Sequence, residues 1–261
     1  MDKNAKQIKA AKAKEEEATI NRILCWVVGG SVLEFLLMLL NRYWSHYTAA
    51  QIDFRVALGT AVKILAVAAL ACAAGALFWW NNAWKSGKGM YVPGTLCLFM
   101  TGVSVSCFAA WGFSGQGLML MCYVVPAVVI LAIIYNLYQR EFFLVACQSA
   151  LSLMGIWLCE KGTGGAYAPV CYAYVVVSTL LLLLAAGLCR KAQGNEGKVD
   201  VKGTKYRVFS KDANYGILYA GAVVALLVLV VAAIGITPVI LYAVTVTWLL
   251  VMAVYYTVKL M

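Results

Sequence analysis

Residues 214–235 read NYGILYAGAVVALLVLVVAAIG, a stretch without a single charged side chain. An α-helix rises about 1.5 Å per residue, so this stretch is long enough to cross a hydrocarbon core about 30 Å thick. In lipid the backbone must satisfy its own hydrogen bonds, and the apolar run at 223–231 does not alternate as a barrel strand would. We therefore expect residues 214–235 to form a transmembrane helix.

Seven further stretches are also long and predominantly apolar. The chain has 261 residues, of which 64% are hydrophobic and only 12% are charged. That charged share is about half of what an average soluble domain carries. The composition predicts an all-α, multi-pass transmembrane bundle with eight spans, near residues 23–41, 56–80, 91–113, 117–138, 141–159, 168–189, 214–235 and 237–258.

The basic residues collect on one side of this layout. Seventeen of the 21 Lys and Arg residues fall on the side of both termini, three fall in loops on the other side, and Lys63 lies inside a span. Because cytoplasmic loops are enriched in Lys and Arg, we predict a cell-membrane protein with cytoplasmic termini, targeted by its first span rather than by a cleaved signal peptide. The same bias accounts for the net charge of +10 without nucleic acid as a partner.

The spans divide the chain into five regions. Residues 1–22 form a helical arm with basic and acidic side chains, and residues 23–138 form the first four-helix half. Residues 139–189 hold spans five and six, and residues 213–261 hold spans seven and eight. Between them, residues 190–212 form a basic linker whose alternating apolar residues predict a small β-hairpin. We expect the bilayer and its anionic headgroups on the cytoplasmic face to be the partners of these regions.

Matching strings in a common order indicate an internal duplication. Residues 109–114 read AAWGFS at the end of span three, and residues 232–237 read AAIGIT at the end of span seven. Tyr123 and Tyr242 follow, each 17 residues before a basic residue. With four spans per half, both copies would insert in the same orientation, as in parallel-repeat transporters. The sequence therefore predicts a 4+4 parallel repeat.

Two ionisable residues lie deep inside predicted spans, Glu34 in span one and Lys63 in span two. Each costs about 2.5–3.5 kcal/mol at the centre of a helix and so needs a partner or a polar cavity. Glu34 is eight residues from Arg42 at the end of its span. Lys63 is likewise eight residues from Arg55, which places both about 12 Å below one boundary. We predict a Glu34–Lys63 ion pair that either lines a substrate path or fixes helix packing.

Milder polar residues complete the set of substrate-path candidates. Thr60 lies near Lys63, and Gln148 and Ser152 lie on span five. For these three, hydrogen bonding between helices is the simpler role, and lining a cavity is the second.

Proline placement agrees with the span boundaries. Pro93, Pro169 and Pro238 fall at the starts of spans, where a missing N–H costs nothing. Pro126 alone falls in the middle of a span, which predicts a kink in span four.

Catalytic signatures are weak. Residues 112–115 read GFSG, which resembles the GxSG string of rhomboid-type intramembrane proteases. Those proteases need a His on a later span as a base, whereas the single His of this chain, His46, lies upstream. One His cannot supply a metal site, and the nine cysteines include no CxxC pair. We expect no enzymatic activity, no metal and no cofactor; the one pair suited to a disulfide is Cys159 with Cys171.

Three functions remain open, of which a membrane enzyme such as an intramembrane serine hydrolase ranks last because catalytic groups are lacking. The first is a permease for a small solute or ion, with Glu34 and Lys63 lining its path. The second is an accessory or assembly subunit that binds another membrane protein or a second copy of itself through the arm and the linker. A polar cavity that reaches Glu34 would favour the permease, whereas a sealed apolar core and a co-purifying partner would favour the subunit.

Overall fold

The computed structural model is dominated by long α-helices. It describes residues 2–45, 48–86, 91–162, 168–195, 197–201, 204–207, 209–210, 213–235 and 237–260. Within these ranges the elements are α1 (Asp2–Ser45), a 3₁₀ turn (Ala49–Gln51), α2 (Ile52–Ser86), α3 (Tyr91–Leu137), α4 (Arg140–Gly162), α5 (Ala168–Gly194), β1 (Lys198–Val201), β2 (Thr204–Arg207), α6 (Tyr215–Ile234) and α7 (Pro238–Leu260).

Eight helical segments are long and apolar enough to cross a membrane, as the sequence predicts. They are Glu17–Trp44, Ile52–Ala83, Pro93–Gly112, Gln116–Leu137, Arg140–Gly162, Ala168–Gly194, Tyr215–Ile234 and Pro238–Lys259. The protein is therefore a multi-pass helical membrane protein. The terminal arm is helical too and continues into the first segment, because α1 begins at Asp2.

The boundary between spans three and four differs from the prediction. The sequence predicts a loop there, but the backbone of α3 is helical from Tyr91 to Leu137, over 47 residues. The intervening GFSGQG string contains no proline, and glycine weakens a helix by about 1 kcal/mol without forbidding it. A straight helix of this length would measure about 70 Å, more than twice the hydrocarbon thickness. Two crossings therefore require that the helix axis reverse between Gly112 and Gln116.

The chain divides into two compact units, unit 1 (Met1–Ile130) and unit 2 (Leu131–Met261). Their boundary lies eight residues before the predicted boundary between the halves. The structure does not confirm the internal repeat. The first span of unit 1 has 6% of its residues buried, whereas the first span of unit 2 has 50%. Equivalent positions in the proposed copies therefore do not have equivalent packing.

Unit 1 is held by contacts between α2 and the first half of α3. The Ser104 hydroxyl donates to the Ala66 carbonyl at 3.2 Å, and the Cys97 thiol donates to the Ala73 carbonyl at 3.8 Å. Alanine dominates this face of α2 because small side chains let two helix backbones approach closely. The buried alanines are Ala66, Ala69, Ala73 and Ala76.

Unit 2 is built around α4. Its buried residues recur at helical spacing and face α5, α6 and α7; among them are Glu141, Val145, Gln148, Ser152 and Ile156. Gly155 permits the closest approach, because a Cβ at this position would overlap the Leu229 side chain and lie 3.3 Å from the Tyr174 ring.

The basic linker contains a two-stranded antiparallel hairpin, at the place where the sequence predicts one. Val199 pairs with Tyr206, and the segment after β2 returns to the bundle. There the Phe209 amide donates to the Gly197 carbonyl at 3.2 Å, and the buried Phe209 ring meets Tyr215 edge-on. Gly197 has φ +81°, and a Cβ there would meet the Phe209 carbonyl. The hairpin is thus tied to the core of unit 2 rather than loosely attached.

The reversal within α3 can be tested by tagging. An epitope inserted between Ser114 and Gly115 should face the side of the membrane opposite to an epitope inserted between Lys202 and Gly203. Protease protection in sealed vesicles of known orientation measures both tags. If the two tags are cleaved from the same side, α3 does not cross twice and the eight-span topology is wrong.

Close packing at Gly155 predicts a large effect from a small change. Gly155→Ala should lower stability by about 1–3 kcal/mol, because Leu229 must move to admit the new methyl group. Gly187→Ala on α5 is the matched control, since no described atom lies within 4 Å of its new Cβ. Thermal unfolding in detergent compares the two variants. Equal melting temperatures for both would contradict the packing of α4 against α6.

Candidate functional site

The predicted Glu34–Lys63 ion pair is wrong. Both residues lie in the described part of the chain, and no ion pair joins them there. Glu34 is partly buried, whereas Lys63 is exposed on α2. A common depth, which counting along the chain predicts, therefore does not by itself bring the two charges together.

Lys63 instead contacts an aromatic ring. Its Nζ lies 5.7 Å from the centroid of the Trp111 ring, within the range of a cation–π interaction. Trp111 lies next to Gly112, the last residue of its apolar segment. A lysine stem is long enough to carry its charge to such a ring while its own backbone lies inside a span. The open depression beside it has a volume of about 530 Å³ and an apolar lining, formed by Lys63, Ile64, Val67, Ala68 and Ala71.

Glu34 and Thr60 have local partners. The Glu34 carboxylate is hydrogen-bonded by the Cys122 thiol, while its Oε2 is buried without a partner. The exposed Thr60 hydroxyl donates to the Val56 carbonyl of its own helix at 3.3 Å. These residues therefore do not assemble with Lys63 into one site. Pro126 lies within α3, and the kink predicted there stays a prediction.

The other predicted residues, Gln148 and Ser152, lie together inside unit 2. Gln148 is 3% exposed and Ser152 is fully buried. The Ser152 hydroxyl faces two carbonyls, Gln148 on its own helix at 3.1 Å and Ala225 on α6 at 3.4 Å. Ser149 also bonds back, to the Val145 carbonyl at 3.0 Å. The polar side chains of α4 thus form a stripe toward the interior of unit 2, and its serines are satisfied.

Gln148 differs from the serines because its side-chain oxygen is unsatisfied. Within the described part of the chain, its Oε1 is buried without a hydrogen-bond partner, and so is Nε1 of Trp248 on α7. Both atoms face Gly221 on α6: a Cβ there would lie 2.5 Å from Oε1 and 3.8 Å from Nε1. An unpaired acceptor and an unpaired donor therefore lie close to each other, beside the one residue type that leaves room between them. We call these three residues the Gln148–Trp248 site.

A buried ion pair lies at the beginning of α4. Lys259 Nζ near the end of α7 contacts Glu141 Oε2 at 3.1 Å, and the side chains are 24% and 1% exposed. The sequence does not single out Glu141, because this residue follows Arg140 at a predicted span end, where a carboxylate is ordinary. The 17-residue spacing from Tyr242 to Lys259 singled out the lysine, but nothing in one sequence links it to a residue 118 positions away.

Aromatic residues surround this ion pair. The Tyr256 hydroxyl lies beside the Glu141 carboxylate, and the Tyr256 ring lies 5.7 Å from Lys259 Nζ. Three further oxygen atoms are buried and find no hydrogen-bond partner among the described residues: Glu141 Oε1, Tyr256 Oη and Tyr215 Oη. The Glu141 carboxylate is therefore enclosed by aromatic rings, while the Lys259 side chain stays 24% exposed.

Comparisons with known proteins do not assign a family or a function to this chain. No family model matches the chain, and neither curated proteins nor solved structures give a match. In the described part of the chain, no group of three or more His, Cys, Asp or Glu could hold a metal ion. His46 and the Ser114 side chain lie outside the described residues, so the protease-like string remains untested.

The ion pair predicts an asymmetric mutational pattern. Lys259→Met should lower stability by about 3 kcal/mol, because it leaves the Glu141 carboxylate buried alone. The double variant Glu141→Leu/Lys259→Met should recover most of that loss, since no buried charge remains. Lys161→Met, at the exposed opposite end of α4, is the control. Thermal unfolding in detergent measures all three; a double variant as unstable as Lys259→Met would contradict the pairing.

Proposed function

We propose that this protein is a permease for a small solute, and that the polar stripe of α4 in unit 2 lines its path. The observation that supports this most is the Gln148–Trp248 site. A polar atom without a partner is costly inside a membrane bundle, at about 1–3 kcal/mol by protein mutational data. An unpaired donor beside an unpaired acceptor fits a ligand that can both accept and donate hydrogen bonds.

The chemistry of the site favours a neutral solute over an ion. Its two polar groups are an amide oxygen and an indole N–H, and neither carries a charge. Glu141 lies two turns away, about 10 Å along the helix. A hydroxyl, an amide or water could bond both atoms at once, whereas a bare cation would find one acceptor only. We therefore propose a small neutral solute with hydroxyl or amide groups as the substrate class.

The path proposed from the sequence is revised accordingly. Gln148 and Ser152 keep their place as candidates, and Ser152 lies one turn along the same stripe. Glu34 and Lys63 are left out of the proposed path, because no ion pair joins them in the described part of the chain. Trp248 and Gly221 enter as new candidates, because their positions complete the site from α7 and α6.

Osmotic swelling of proteoliposomes tests the proposal. The purified protein should raise the permeability to at least one of glycerol, urea and a monosaccharide above that of empty liposomes. Gln148→Leu and Trp248→Phe should each lower the rise by about five- to tenfold, the effect of losing one hydrogen bond in the path. Thr247→Val is the matched control, because Thr247 is exposed on the same helix as Trp248.

Two outcomes would contradict the proposal. One is unchanged flux in both site variants, which would separate transport from the Gln148–Trp248 site. The other is no flux of any neutral solute or ion by folded protein that co-purifies with another membrane protein in fixed ratio. The second result would favour the accessory or assembly subunit instead.

A further inference from the structure

We infer that Cys159 and Cys171 form a disulfide bond that joins α4 to α5. The two residues lie at the ends of these helices farthest from the Glu141–Lys259 ion pair, 12 positions apart in the chain. Their sulfur atoms are 2.9 Å apart, closer than two sulfur atoms rest without a hydrogen or a bond between them. The geometry brings together two thiols from different helices, which neither spacing nor composition alone requires.

The surroundings suit a structural bond rather than a reactive thiol. Cys159 is 2% exposed and Cys171 is 1% exposed. Their apolar neighbours include Ile156, Val228 and Leu241. Structural disulfides are resistant to reduction when they are buried and unstrained, whereas exposed or strained ones are labile. Once formed, this bond would be shielded from water-soluble reductants.

The bond would form by thiol–disulfide exchange with an oxidised dithiol protein. One thiolate attacks the disulfide of that protein to give a mixed disulfide, and the second thiolate displaces it. The two cysteines lose two electrons in total, and the oxidant is released as a dithiol that takes up both electrons and both protons. Because the folded pair is buried, the exchange must occur as the two helices insert, before they pack fully.

The inference also bears on orientation. Disulfides form and persist on the oxidising side of a membrane, and the charge pattern of the sequence predicts that these helix ends lie outside the cytoplasm. The loop charges and the Cys159–Cys171 contact are independent indications of which side these helix ends face. The disulfide does not rest on the proposed transport function.

Counting thiols tests the inference on the full chain. The protein is made in its native membrane, quenched with acid, denatured and labelled with a mass-tagged maleimide before and after reduction. Seven of the nine cysteines should label before reduction and all nine after it. Cys171→Ser should label at eight positions in both states. Cys147→Ser is the control on α4, and should label at six before reduction and eight after it.

A cleavage experiment locates the bond. A protease site inserted between Gly164 and Gly165 lies between the two cysteines in the chain. After cleavage, the two fragments should migrate together without reductant and separate with it, and Cys159→Ser should separate them in both cases. Labelling of all nine cysteines before reduction would overturn the inference, as would two protected cysteines that persist in Cys171→Ser.

Discussion

Inside a hydrocarbon layer, a polar group can form hydrogen bonds only with the protein or with what the protein encloses. Small hydroxyls meet this constraint locally. Ser149 bonds to the Val145 carbonyl, and Thr245 bonds to the Leu241 carbonyl, each one turn back on its own helix. Gln148 and Trp248 have larger side chains, and Gln148 Oε1 and Trp248 Nε1 have no hydrogen-bond partner among the residues that the structure describes. Hydroxyls that bond to their own helix are thus assigned to packing, whereas unpaired polar atoms mark a candidate site.

Three contacts fix the position of α4, which explains why Gln148 keeps its unpaired oxygen inside the bundle. At one end Glu141 contacts Lys259 on α7, and at the other end Cys159 contacts Cys171 on α5. Between these points, Gly155 packs directly against Leu229 on α6. A helix held to three neighbours cannot rotate about its axis to turn Gln148 toward a different partner. Gln148 Oε1 therefore stays inside unit 2, where a hydrogen-bond donor on a bound solute would satisfy it.

Sequence alone predicts where helices run but not which way they face. Span positions follow from the number of apolar residues, and the hairpin follows from alternation, so both could be predicted. Depth also follows from counting, which is why Glu34 and Lys63 were expected at one level. Rotation about the helix axis depends on packing with other helices, and on this point the ion-pair prediction failed. The Glu141–Lys259 contact was missed for the same reason, since it joins residues from opposite ends of unit 2.

The two ionisable contacts show how side-chain length decides the outcome. Lysine has a flexible four-carbon stem, so Lys63 can place its charge near the Trp111 ring, and among the described residues no carboxylate pairs with it. Glutamate is shorter, so its charge stays close to its own backbone. Glu141 is enclosed by aromatic rings at 1% exposure and therefore requires a cation from another helix. Lys259 supplies that cation from the last turn of α7, where its own stem still reaches solvent. Side-chain length and burial, rather than depth along the helix, therefore decide which of the two charges is found in an ion pair.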